Sequence, residues 1–80
     1  TKKNAHTQDA VKALLRDRII DKYHGFAEAG YVDIYNREGV DRMYVEYKNL
    51  GGNSIVDKLM SDIESLPVIS EEELRQRRDN

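Results

Sequence analysis

Eighty residues without a cysteine make one small domain that neither a disulfide framework nor a cysteine-ligated zinc site can staple. A chain this short buries only about 60% of its unfolded surface, so helix packing or a partner must supply stability. The 13 basic and 15 acidic residues leave a well-solvated surface without a large field, and no apolar run approaches the roughly 20 residues of a membrane span.

"TQDAVKALLRDRIIDKYHGFAEAG" predicts a first helix over about 7–29. Val11, Leu14, Leu15, Ile19, Tyr23 and Phe26 recur at spacings of three and four and define its apolar face. Thr7 is the expected N-cap, Asp9 suits the first turn, and Gly30 reads as the stop. Gly25 costs the helix about 1 kcal/mol relative to Ala, which marks a close backbone approach or a bend. The next segment, "YVDIYN", is too short for an independent sheet and reads as an extended connector that tucks Val32 or Ile34 under the helices. Asn36 is the expected cap of the helix that follows.

"REGVDRMYVEYKNL" predicts the second helix, with Val40, Met43, Tyr44, Tyr47 and Leu50 on its buried face. "GGN" then reads as a junction. Gly51 fits the left-handed position past a helix end, Gly52 lets the chain reverse, and Asn53 caps the next helix. "SIVDKLMSDIESL" has the cleanest period in the chain, through Val56, Leu59, Met60, Ile63 and Leu66, and Pro67 ends it. Val68 and Ile69 pack back. "SEEELRQRRDN" carries a capping-box pattern, Ser70 with Glu73, but only Leu74 as an anchor. The architecture expected is therefore all-α: a three-helix bundle over 1–69 with a short extended connector, then a charged C-terminal tail or frayed helix over 70–80. Leu14, Leu15, Ile19, Tyr23, Phe26 and the apolar faces of the second and third helices form its expected core.

Chemistry is thinly represented. Glycines ahead of a helix can cradle an anion, but a phosphate loop would place Lys beside Ser or Thr, and here Lys58 is a full turn further on, next to Asp57. Gly51, Gly52 and Asn53 are thus read as a structural turn. A DNA-reading third helix would set Asp57, Asp62 and Glu64 against a polyanion with Lys58 as its one cation. His6 and His24 have no partners at metal or catalytic spacing, so no catalytic residue, metal ligand or cofactor is assigned. Tyr is enriched at protein interfaces, and Tyr31 and Tyr35 flank the connector, away from the helix faces that hold Tyr44 and Tyr47. Tyr31, Tyr35, Leu74 and Arg75 are the expected partner-binding residues. The first helix outreaches the other two, so its surplus apolar surface must meet the connector, the tail or a second chain.

"ALLRDRII", "GYVDIYNREGV" and "MYVEYKNLGGNSIVDKLMSDIESLP" together resemble a group of small proteins encoded in phages and prophages of Gram-positive bacteria. The likeness covers about residues 13–67, and its most specific block is Tyr44, Tyr47, Leu50, Gly51, Gly52 and Asn53. This chain departs after Asn53, with Ser54 and Ile55 where the group has Gly and Thr, which puts a ligand role for the turn in doubt. The resemblance implies a phage context among late tail or lysis genes and brings no catalytic residue. The reading is a non-enzymatic accessory or structural protein that acts through contacts with a protein: a second copy, a phage protein or a host protein. Its expected address is the host cytoplasm or the virion, since the N-terminus lacks an apolar signal region. The alternative is a small helical regulator binding nucleic acid through Lys2, Lys3, Lys12, Arg16, Arg18 and Lys22, a patch that four acidic groups in residues 1–30 dilute.

Overall fold

The computed structural model describes the backbone of residues 2–79 and the side chains of residues 6–79; the lysine side chains at 2 and 3 lie outside the described residues. Four helices, α1 (Lys2–Ala29), α2 (Ile34–Asn49), α3 (Ser54–Glu64) and α4 (Glu71–Asp79), are joined with two short strands, β1 (Val32–Asp33) and β2 (Val68–Ile69). The fold is all-α as expected, with a minimal parallel sheet added. Val32 pairs with Val68 and Asp33 with Ile69, and the Val32 amide donates to the Pro67 carbonyl at 2.9 Å.

The core gathers Ile19 and Phe26 of α1, Val32 of β1, Val40 and Tyr47 of α2, and Val56, Met60 and Ile63 of α3. Leu15, Tyr23, Met43, Tyr44 and Leu66 pack against its edge. Ile69 is buried at β2, so the strand pair closes the connector onto the bundle. Arg37 ties α2 to α3 from outside, with Asp41 at 3.1 Å and Glu64 at 3.7 Å.

Several expectations need correction. α1 begins at Lys2, so Thr7 lies within the helix and does not cap it. Leu14 is not core: it is 70% exposed, and Val11 is 42% exposed. Leu14 lies on the outward side of α1, in line with exposed Arg18, Asp21 and Gly25, while Leu15 beside it packs on the core edge. A helix of 28 residues is about 42 Å long, whereas α2 and α3 have 16 and 11 residues, and the described side chains of α1 before Lys12 are all exposed. The overhang gives the molecule extents of 52 × 20 × 16 Å. The helix runs unbroken through Gly25, and a Cβ there would meet nothing within 4 Å, so this chain supplies no close approach to explain that residue.

In the connector Val32 is the buried residue and Ile34 is 52% exposed. Asn36 does not cap α2. Asp33 does, with its carboxylate accepting from the Asn36 amide at 3.2 Å and from Nδ2 of Asn36 at 2.5 Å. Asp33 is only 7% exposed, so these bonds satisfy a carboxylate that is otherwise costly to bury. α3 stops at Glu64, before Pro67, where the Ser65 hydroxyl donates to the Asp62 carbonyl at 2.7 Å.

Candidate interaction surface

The β1–β2 pair places the start of α4 beside the connector, and this juxtaposition assembles the surface. Ser70 caps α4, its Oγ accepting from the Glu73 amide at 3.2 Å, as the capping-box pattern expects. Three acidic residues in the first turn and Arg77 and Arg78 in the last complement the helix dipole. The Tyr35 hydroxyl donates to Glu71 at 3.1 Å, and Arg75 pairs with the same carboxylate at 2.9 Å. Arg77 lies 4.6 Å from the centroid of the Tyr31 ring and 4.0 Å from Glu73. A guanidinium over an aromatic face is held by the ring quadrupole, about 0.5–1 kcal/mol at an exposed site.

The four residues expected to bind a partner therefore meet at one end of the molecule. Tyr31 and Leu74 are half-buried, Arg75 is exposed, and Tyr35 is 62% exposed. The Glu71 carboxylate pushes the Tyr35 hydroxyl above its usual range, first by accepting its hydrogen bond and then by its charge. Tyr35 remains neutral at physiological pH, so it presents a flat, wet-edged ring beside a cation. The sequence showed the tyrosines and the arginines but not their meeting, which depends on the strand pair.

The glycine turn forms a second cluster, and it is closed. Gly51 has φ +84° just past the end of α2, as expected, and Leu50 is the C-cap. The amide of Gly51 donates to the Lys48 carbonyl and that of Gly52 to the Tyr47 carbonyl. The Asn53 amide donates to the Tyr47 hydroxyl, which in turn donates to Asn53 Oδ1, each at 3.2 Å. Oδ1 also accepts from the Ile55 amide, as an N-cap should. Donors that an anion would require are thus already committed. Gly52 serves a purpose other than chain reversal, because a Cβ there would run into the Tyr47 ring. A cleft of about 220 Å³ separates the turn from α1, but its cations are engaged: Lys12 with Asp9 at 3.6 Å, and Arg16 with Asp17 at 3.6 Å.

Asp57 holds α3 to α2. It accepts from Tyr44 at 2.5 Å and from Lys48 at 3.2 Å, and Lys48 also reaches the Gly52 carbonyl. The Asp57 carboxyl sits below its usual 3.8 first because Tyr44 donates to it; desolvation opposes the shift and Lys48 adds to it. Tyr44 sits above its usual 10.0, first through that bond and then through burial. A depressed carboxyl contributes stability present above 3.8 and lost as pH falls through its folded value; a raised phenol contributes stability present below 10.0 and lost as pH rises through its folded value. The melting-temperature gap between wild type and Tyr44→Phe is therefore expected to be flat through neutral pH and to shrink in both directions beyond those limits. A gap that stays constant below pH 3.8 would remove Asp57 from this account.

Among the described residues no three His, Cys, Asp or Glu side chains gather into a metal site, and no helix is long and apolar enough to cross a membrane. His24 packs its ring edge-on to Tyr23 at 5.6 Å. No family model, curated protein or solved structure matches this chain.

Proposed function

We propose that the protein is a non-enzymatic interaction module, of the phage or prophage accessory class that its sequence resembles, and that it docks a protein partner with the end formed by Tyr31, Tyr35 and α4. The observation that carries this reading is the Tyr35 ring, 62% exposed yet fixed through Glu71 beside Arg75 and next to the Arg77–Tyr31 stack. Rigid aromatic and arginine side chains lose little entropy on association and supply most hot-spot energy in protein interfaces. Of the described cations in the basic patch of α1, Lys12 and Arg16 face carboxylates and Lys22 donates to Asn36, so Arg18 alone is left without a partner, which favours a protein partner over a phosphate backbone.

The test is affinity capture from cells that carry the gene in its native genome, comparing wild type with Tyr35→Ala/Arg75→Glu. Neither side chain belongs to the core, so the bundle of α1–α3 should keep its melting transition, while loss of the two bonds to Glu71 loosens α4, itself part of the surface being removed. A stoichiometric protein retained by wild type and lost by the variant is the expected result. Equal retention by both, or retention abolished by nuclease, would overturn the reading.

A further inference from the structure

We propose that the chain forms an antiparallel two-fold dimer through the outward face of α1, a surface separate from the tyrosine–arginine end. Leu14, Arg18, Asp21 and Gly25 follow one another at spacings of four, three and four, which sets them in one line along the helix, and Val11 extends that line. All of them face away from the bundle. Leu14 is 70% exposed, Arg18, Asp21 and Gly25 are exposed, and a Cβ on Gly25 would meet only open space. Neither the Arg18 nor the Asp21 side chain has an ion-pair or hydrogen-bond partner among the described residues.

This line is complementary to itself in a single arrangement. With a two-fold axis at the level of residues 19 and 20, Arg18 of each copy stands opposite Asp21 of the other, giving two equivalent ion pairs. In the same register Leu14 stands opposite Gly25 of the second copy, where the missing side chain leaves room for it. The glycine that weakens α1 without serving any contact inside the chain acquires a role as the seat for that leucine. A parallel pair would oppose Arg18 to Arg18 and Asp21 to Asp21 and would leave Leu14 no gap to fill. An unrelated partner would need to match this pattern; a second copy matches it by symmetry.

Sedimentation equilibrium on the full chain tests the assignment. Wild type is expected to approach twice the monomer mass with rising concentration. Arg18→Asp and Asp21→Arg, each placing like charges in opposition, should each weaken self-association by about tenfold or more while leaving the helical circular dichroism and melting of the monomer unchanged. Mixing these two variants should restore dimers, since one chain then presents two acids and the other two bases, and the double variant should dimerise alone. Gly25→Gln, a better helix former placed in open space, should melt no lower than wild type yet lose the dimer. A wild type that stays monomeric, single reversals that leave association unchanged, or a Gly25→Gln chain that dimerises normally would each overturn the proposal.

Discussion

Ile19→Ala is expected to lower the unfolding free energy by about 3 kcal/mol, whereas Leu14→Ala, five residues earlier on the same helix, should change it by less than about 0.5 kcal/mol when both are measured by urea denaturation at a dilution where the chain is monomeric. Ile19 is fully buried among Phe26 and residues of α2 and α3, and truncating it leaves a cavity that a close-packed core cannot fill. Leu14 lies 70% exposed on the outward side of α1, so its truncation removes little apolar surface from any contact within the chain. A domain of this size has only about 4–12 kcal/mol in total, so the first change removes a large share of its stability. Equal losses at the two positions would mean that Leu14 is packed within the chain and does not lie on the outward side of α1.

Gly52→Ala should destabilise by about 2–3 kcal/mol, more than Gly51→Ala, which should cost about 1 kcal/mol. The two glycines are adjacent but answer to different constraints. At Gly51 the backbone has φ +84° and the surrounding space is empty, so the penalty is conformational alone. At Gly52 a single methyl would enter the ring of Tyr47, which is 1% exposed and tied through its hydroxyl to both the amide and the side chain of Asn53. Tyr47 cannot retreat without opening the core or breaking that pair of bonds. Placing Gly52→Ala in a Tyr47→Leu background should recover much of its penalty, because the shorter side chain vacates the space; additive losses in the double-mutant cycle would contradict the steric account.

Where the signal was local, residues and structure agree. Gly30 and Gly51 adopt positive φ at helix ends, Asn53 and Ser70 cap as their side-chain chemistry requires, and Val56, Met60 and Ile63 bury the face that their spacing marks. The connector shows where local signals stop. Asp33 and Asn36 are both good caps, and nothing between them in the sequence says which is used. Pairing of β1 with β2 ends the extended segment at Asp33, which makes it the cap and turns Asn36 into a donor.

The candidate surface divides in the same way. Tyr31, Tyr35, Leu74 and Arg75 could be chosen as interface types from amino-acid chemistry alone. Their assembly could not, because α4 has a single apolar anchor and is held by a Tyr–Glu bond and an Arg–Tyr stack to residues far away in the chain. The sequence by itself determined the helices, the turn between α2 and α3 and the absence of a staple, since capping, glycine conformation and periodicity act within a few residues. Only the tertiary structure decided which half of α1 is core, why Gly52 must lack a side chain, and that Leu14, Arg18, Asp21 and Gly25 are left bare. Each of those depends on where a distant element lies: α2 and α3 set which side of α1 is covered and how far along it, and the Tyr47 ring fills the space beside Gly52, none of which an amphipathic period can report.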